Sequence, residues 1–428
     1  MAPLKILICG GGLAGNALAF WLSKLGHDVT VVERWPSLRA TGLQIDLRGS
    51  GIKVLKRMGL EEAFRARSVQ EQGLEFVNSS GKQKAYFPAN KTGQGLQSFT
   101  TDYEIMRGDL CRLFHDATKD RVKYIFGMTV KSFEENDGSI EVLFSDGNKD
   151  HFDLLVGADG QGSRIRKLIL GSGMPDPFNS LSIYTGYFTI PQPIQKGEQY
   201  ISTVYMAPGK RMVFTRRHNA QSIQAYLLYV GDQERLSSAP KGDVNEEKAA
   251  LAEVFQGAGW QTDRILKALE TSDDFYLERL GLVKMDVWSQ GQVVLVGDAA
   301  YCPSAVTGMG TTSSLVGAYI LAGEISRYCG RADKNIADMD GTKDGLLTAI
   351  KQYEQTFRPF MNQVQKGLSK DSNNLAKAPS SSIGIAILNF FLGIIAFLRL
   401  DAFAKFASRE EVRGWDLPGY EEMVQGQE

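Results

Sequence analysis

Three glycine-bearing stretches hold the residues with the clearest chemical promise. The first is "LKILICGGGLAGNALAFWLSKLGHDVTVVERW", where Gly10, Gly12 and Gly15 form GxGxxG. An apolar run, Leu4 to Cys9, precedes the glycines and reads as a buried strand. Apolar residues at helical spacing follow (Leu13, Ala17, Phe20, Trp21, Leu25), and Gly26 closes that helix. In such a unit the first glycine permits a tight turn and the second lets a pyrophosphate approach the main chain. The third lets helix and strand pack closely, while the helix N-terminus offers free N–H groups to phosphate. Gly10, Gly12, Leu13, Ala14 and Gly15 are therefore candidate phosphate contacts. Glu33 closes a second strand, Val29 to Val32, and is a candidate acceptor for ribose hydroxyls.

The second stretch is "GQVVLVGDAAYCPSAVTGMGTTSSLVGAYILAGEI". A buried strand, Val293 to Val296, ends in Gly297-Asp298, and a glycine loop then leads into a helix at Thr311. Asp298 is placed to hydrogen-bond a hydroxylated chain. Gly308, Gly310, Thr311 and Thr312 offer a helix N-terminus to a polarised ring edge. The third stretch, "LLVGADGQGSRIR" from Leu154 to Arg166, is a core strand that breaks at Gly157 and turns on Asp159-Gly160. It is either a surface turn or one that lets something large and phosphorylated lie against the backbone.

Taken in this order, the three stretches resemble the group A flavoprotein monooxygenases, single-component aromatic hydroxylases with the p-hydroxybenzoate hydroxylase fold. The chain looks closest to their tetracycline-modifying members. The resemblance covers most of residues 1–365. It implies that the first motif binds the ADP part of FAD and the Gly-Asp motif its ribityl chain. The Asp-Gly turn then serves both FAD and NADPH, with Asp159 and Arg166 as polar contacts. "VERWPSLRATGLQIDLRGSGIKVLKRMGL" resembles the family's second-strand region. It implies cofactor contacts at Arg34, Arg39, Asp46 and Arg48, with Asp46 beside FAD and Arg39 facing NADPH. "MRGDLCRLF" implies an FAD-contacting Arg107. Two positions depart from the family pattern: Tyr301 stands where many relatives have His, and Met309 where Gln is common.

The implied chemistry is insertion of one oxygen atom from O2 into an electron-rich, aromatic or polycyclic secondary-metabolite-like substrate. NADPH, a transient co-substrate, reduces FAD, and a flavin C4a-hydroperoxide delivers the oxygen. The cofactor carries the hard chemistry, so no catalytic side chain is named. A flavin-dependent epoxidase or Baeyer-Villiger-type oxygenase acting on a terpenoid or indole is the alternative, as is a flavin oxidoreductase without oxygen insertion.

The elements that must position these residues form an α/β chain, α+β when taken whole. The expectation is a discontinuous Rossmann-like FAD-binding domain (1–74, 101–174 and 279–365) with an antiparallel β-sheet substrate domain (75–100 and 175–278). A C-terminal helical tail (366–428) follows. The sheet is read from short aromatic and β-branched runs such as "SIYTGYFTI", "RMVFTRRH" and "SIQAYLLYVG". One face should roof the flavin, which makes Tyr184, Met206, Phe214, Arg216, Gln224 and Tyr226 candidate substrate contacts, with Arg216 able to hold an anionic oxygen.

A net charge of −1 over 428 residues offers nothing to nucleic acid. Four scattered cysteines with no CxxC pair, and four scattered histidines, speak against a disulfide scaffold or a metal site and fit a reducing compartment. The N-terminus runs straight into the first motif, so a cytoplasmic enzyme is expected. "IGIAILNFFLGIIAFL", Ile383 to Leu398, is uncharged but shorter than the roughly 20 residues of a spanning helix. It is expected to pack on the body, with an interfacial membrane contact as the less favoured reading.

Overall fold

The structure, a computed structural model, describes residues 3–39, 42–89, 102–136, 138–329, 343–369, 377–398 and 412–424. Part of the expected substrate domain (90–100) and part of the expected tail (370–376, 399–411 and 425–428) lie outside the described residues.

The chain opens with β1 (Lys5–Cys9), α1 (Leu13–Lys24), β2 (Asp28–Glu33), β3 (Gln44–Asp46), α2 (Ser50–Arg57) and α3 (Glu61–Arg65). β4 (Gly73–Val77) and β5 (Gln83–Pro88) leave this body, and β6 (Glu104–Met106), α4 (Arg107–Asp116) and β7 (Lys123–Phe126) return to it. β8 (Val130–Asn136), β9 (Ser139–Phe144) and β10 (Lys149–Phe152) form a small antiparallel sheet before β11 (Leu154–Gly157) and α5 (Arg164–Leu170). Next come β12 (Phe178–Pro191), β13 (Ile201–Ala207), β14 (Arg211–Arg217) and β15 (Ser222–Val230). The chain continues through α6 (Glu234–Ser238), α7 (Val244–Phe255), α8 (Thr262–Thr271) and β16 (Tyr276–Val283). It then runs through β17 (Ser289–Gln290), β18 (Val293–Leu295), α9 (Asp298–Tyr301), α10 (Gly310–Cys329), α11 (Lys343–Val364) and α12 (Ser382–Phe397).

Two sheets matter for the site. The first has the order β17-β18-β11-β1-β2-β7, parallel except for β17. Its central strands are buried almost throughout, because helices cover both faces; this is why they read as unbroken apolar runs. α1 lies against α10, where Trp21 meets Tyr319 edge-on at 5.3 Å. The second sheet has the order β16-β12-β15-β14-β13-β4-β5 and is antiparallel apart from the β13–β4 pair. α7 and α8 cover its outer face through Leu251, Phe255, Ile265 and Leu269, and α6 adds Leu236. β12 is a single long strand, and its pairing with β16 runs to Val283, past the expected boundary at residue 279. The three-stranded sheet of β8 to β10 was not expected separately. Its strands are short and half-exposed, and so resemble loop edges in sequence.

α12 packs on β5 and β13. Only Ile385, Asn389 and Leu392 of this helix are buried, while Ile383, Ile387, Phe390, Phe391 and Phe397 remain exposed. The segment therefore rests on the body along one narrow stripe and is not a core helix. Among the described residues no helix is long and apolar enough to cross a membrane.

This asymmetry gives a first prediction. Phe390→Ser and Phe397→Ser should each change the unfolding free energy by less than about 0.5 kcal/mol, as surface substitutions do. Leu392→Ala opens a hole against the sheet edge and should cost about 2–5 kcal/mol. Urea unfolding of the three variants checks the contrast; equal losses would mean that the outer face is covered after all.

Candidate functional site

The three sequence motifs meet at the C-terminal ends of adjacent parallel strands. Cys9 of β1 lies between Gly157 of β11 and Val32 of β2, and Leu295 of β18 pairs with Gly157. The ladder continues one step into the loops: Gly10 N–H donates to Val32 O at 2.8 Å, Ala158 N–H to Cys9 O at 2.8 Å and Val296 N–H to Gly157 O at 2.9 Å. The crevice beyond these ends is where open α/β sheets bind their ligands.

Two glycines there are obligatory. Gly10 has φ +113°, and a Cβ on it would lie 2.4 Å from the Ala158 carbonyl oxygen. A Cβ on Gly15 would stand 2.0 Å from Gly10 O. The first motif, the Asp-Gly turn and α1 are thus in backbone contact. Gly12 is the N-cap of α1 with no side-chain cap, so the amides of Leu13 and Ala14 begin a helix whose dipole favours an anion. The Arg107 guanidinium reaches the same point, with one nitrogen 3.7 Å from where a Gly12 Cβ would sit. Glu33 accepts hydrogen bonds from Gly11 N–H at 2.8 Å and from Trp35 N–H at 3.0 Å. It pins the loop with both oxygens, each of which has further acceptor capacity. A glycine cradle, an uncapped helix, a guanidinium and a buried acid are the donor and acceptor set that the ADP half of FAD requires.

The remaining cofactor candidates group around this cradle. Arg39 lies over the rings of Trp35 and Tyr276, at 5.6 and 5.5 Å. Among the described residues it pairs with no carboxylate, and burial followed by the nearby Arg107 presses its pKa down. Arg34 is exposed and lies 5.9 Å from the Trp35 ring centre. Asp46 and Arg48 form an ion pair. The Arg48 amide donates to Thr312 Oγ1 at 3.0 Å, which docks the β3 loop on the start of α10. Gly308, in the left-handed region at φ +65°, is 3.7 Å from the Arg48 side chain when a Cβ is placed on it. Gly310 has open space around it, and Thr311 is half-buried. Asp298 opens α9 and is half-buried; burial first of all holds its pKa above the ordinary carboxylate range, against opposing effects of Cys302 and Arg107.

Several expectations change. Arg166 has no exposed side-chain surface. It donates to Ala299 O at 2.9 Å, to Gln161 O at 2.6 Å and to Asp176. It is an internal tie between the second and third motifs and has nothing left to offer a cofactor. Asp159 spends its carboxylate on Ser163 and on the amides of Arg164 and Ile165, capping α5, so its neighbourhood with Gly10 is made by backbone. Tyr301 points into the core against Trp288 and Phe357 and bonds to Tyr353 at 3.1 Å. Met309 is buried as well.

The substrate candidates divide by strand alternation. Tyr184 belongs to the outer cluster with Leu251 and Phe275, on the face away from the crevice. Arg216 is no free anion holder: it forks onto Glu71 at 2.9 Å through two of its nitrogens and also pairs with Glu104. Gln224 accepts from Gln44 N–H at 3.2 Å and donates to Gly42 O at 3.1 Å, tying the roof to the loop before β3. The Tyr226 hydroxyl donates to Gln224 at 2.9 Å, and its ring lies 5.0 Å from Phe214. Met206 lines a cavity of about 1090 Å³ under α12, which none of the motif residues line.

Residues not singled out from the sequence complete the wall. Tyr187 stacks on Tyr276 at 4.9 Å and meets Tyr226 edge-on at 5.2 Å. Glu278, on the same face of β16 as Tyr276, has its carboxyl pushed up to about 7 by burial and by Asp298. An acid inside the apolar run "FYLERLGLV" was the available signal.

Comparison with known proteins agrees with this geometry. A family described as FAD binding domain matches residues 3–341. An FAD-dependent monooxygenase, asL4, of Sarocladium schorii is 52% identical over 99% of this chain and 100% of its own length. A flavin-dependent monooxygenase, eupH, of a Phoma species is 38% identical over 98% of both chains. Among solved structures, the tetracycline destructases Tet(51) and Tet(55) superpose with TM-scores of 0.75 and 0.76 at 27% and 26% identity. In each case 98% of this chain and 99% of theirs is covered.

The reassignment of Arg216 can be tested. Arg216→Ala leaves Glu71 and Glu104 buried beside each other without their cation, so it should cost about 3–5 kcal/mol of stability. Denaturant unfolding of the purified variant measures this. A variant of normal stability with only a raised substrate KM would restore the anion-holding role.

Proposed function

The chain belongs to the FAD-binding-domain family and is an FAD-dependent monooxygenase, and from that premise we propose that it uses NADPH and O2 to oxygenate a largely apolar, aromatic or polycyclic small molecule. The observation that carries this reading is the meeting of three cofactor loops beneath a sheet face lined by Tyr187, Tyr226, Tyr276 and Phe214. Such a wall suits a flat apolar substrate fixed by a few polar groups. The tetracycline destructases, polycycle-modifying by name, support the substrate class.

Each residue then has a task. The amides at the start of α1, with Arg107, hold the pyrophosphate, and Glu33 takes the adenosine ribose. Asp298 and the start of α10 hold the ribityl chain and the ring edge of the flavin. FAD, when bound, supplies the chemistry: it takes two electrons from a reduced nicotinamide and activates O2. The protein holds the substrate over it and keeps bulk water out. Arg39, stacked between two rings and paired with no acid among the described residues, is the group we assign to the NADPH phosphate. Asp46 and Arg48 brace the loop between the cofactor and α10.

The purified protein should be yellow and release FAD on denaturation; recovery of FMN alone would contradict the role of Glu33. Asp298→Ala should weaken FAD retention while leaving the circular dichroism unchanged. Arg39→Ala should raise the KM for NADPH by a factor corresponding to about 1.5–3 kcal/mol, the loss of one charge-assisted contact, with little change in FAD affinity. Steady-state kinetics with NADPH and NADH measure this; an unchanged preference between them would remove Arg39 from the nicotinamide site.

A further inference from the structure

One acid in the crevice has no structural work to do. Alternation along β16 puts Tyr276 and Glu278 on the face towards the motif loops, in register with Tyr187 and Thr185 of β12. Tyr187 lies beside the Glu278 carboxyl and stacks on Tyr276. From the other walls the acid faces Asp298 and Cys302 at the two ends of α9, Arg107 on α4, and Arg39. Among the described residues neither Glu278 nor Asp298 is within ion-pair distance of an arginine, although both sit deep in the seam and keep some surface open to it. Buried acids without a structural partner are costly to ionise, and two that face each other resist ionising together. Burial raises both carboxyls, and the nearby Asp298 raises Glu278 further, so Glu278 holds a proton more readily than a solvated acid would.

Monooxygenation needs such a proton. Substrate, O2, a reduced nicotinamide and one proton give oxygenated substrate, oxidised nicotinamide and water. We propose that Glu278 holds this proton, sharing one negative charge with Asp298, and passes it through the Tyr187 hydroxyl to the oxygen that leaves as water. Glu278 loses its O–H bond to Tyr187, Tyr187 gives its own proton to the departing oxygen, and the carboxylate recovers a proton from solvent. The inference rests on the oxygenase reading above.

The test uses the full-length protein as wild type, Glu278→Gln and Glu278→Asp. The first readout is the dissociation constant of FAD, followed by flavin fluorescence from about pH 5.5 to about pH 8.5, a span that brackets the Glu278 carboxyl. Bound flavin strips water from Glu278 and favours its protonated form. Wild-type affinity should therefore fall above the carboxyl's midpoint, by up to about tenfold per pH unit. Glu278→Gln should be flat over this span, and Glu278→Asp should keep the slope with a moved midpoint, which also guards against misfolding. The second readout is hydrogen peroxide release when chemically reduced, FAD-loaded protein meets O2 without substrate, a reaction that also consumes one proton. Its rate should fall with pH through the same midpoint in wild type. In Glu278→Gln it should be about 10²-fold slower and independent of pH. Superimposed FAD profiles for wild type and Glu278→Gln overturn the shared charge, and an unchanged peroxide profile overturns the donor role. A wild-type protein that binds no FAD at all refutes the oxygenase reading itself.

Discussion

The site depends on how closely three strand ends can approach. Gly10 lies against the Ala158 carbonyl and Gly15 against Gly10 itself, at distances no Cβ could tolerate. That contact puts the first glycine loop, the Asp-Gly turn and the Gly-Asp motif within one crevice, because β18, β11, β1 and β2 are neighbours in the sheet. The internal Arg166 then locks the second and third motifs together from behind, through Ala299 O and Gln161 O. The three loops are thus held by backbone packing and one buried guanidinium.

The roof is joined to this floor by polar contacts that sequence patterns would assign to ligands. Gln224 holds Gly42 and Gln44, and Arg216 spans Glu71 and Glu104 while Gln44 donates to the same two acids. A buried cation on two carboxylates is weak evidence for stability but strong evidence for a fixed geometry, since removing one partner exposes the others to full desolvation cost. The network sets the height of the tyrosine wall above the crevice. On the proposed function, substrate recognition then falls to aromatic surface and to few hydroxyls.

Much of the floor was legible in the sequence, because GxGxxG between two apolar runs and a closing acid is constrained by both turn chemistry and helix polarity. The Asp-Gly and Gly-Asp stretches were legible as turns at strand ends. What Asp159 and Arg166 bond to was not, since capping and cofactor binding demand the same residue types. The roof was harder. Its strands are recognisable, but a shift of one residue in register exchanges the two faces, and nothing local told Tyr184 from Tyr187. Arg216 is ambiguous in the sequence for a related reason: its partners Glu71 and Glu104 are distant in the chain, so a paired and an unpaired arginine look alike. Glu278, an acid in a largely apolar strand, is a departure whose partners are equally distant in the chain.

The strand order also governs how the protein comes into being. Ile6 pairs with Leu154, and Leu155 pairs with Val293, so the central sheet joins three widely separated parts of the chain. A nascent chain emerging from its N-terminus has β1 and β2 long before β18, and carries an unpaired edge of β-branched and apolar residues in the interval. Such long-range parallel pairing is slow to close. On the proposed site, flavin is captured in full only once the strand at Leu295 has docked, so the cofactor would act late in synthesis, as a clasp on an almost finished fold. Any shortage of it should be felt first in the yield of folded protein, ahead of any loss of turnover by the molecules that do mature.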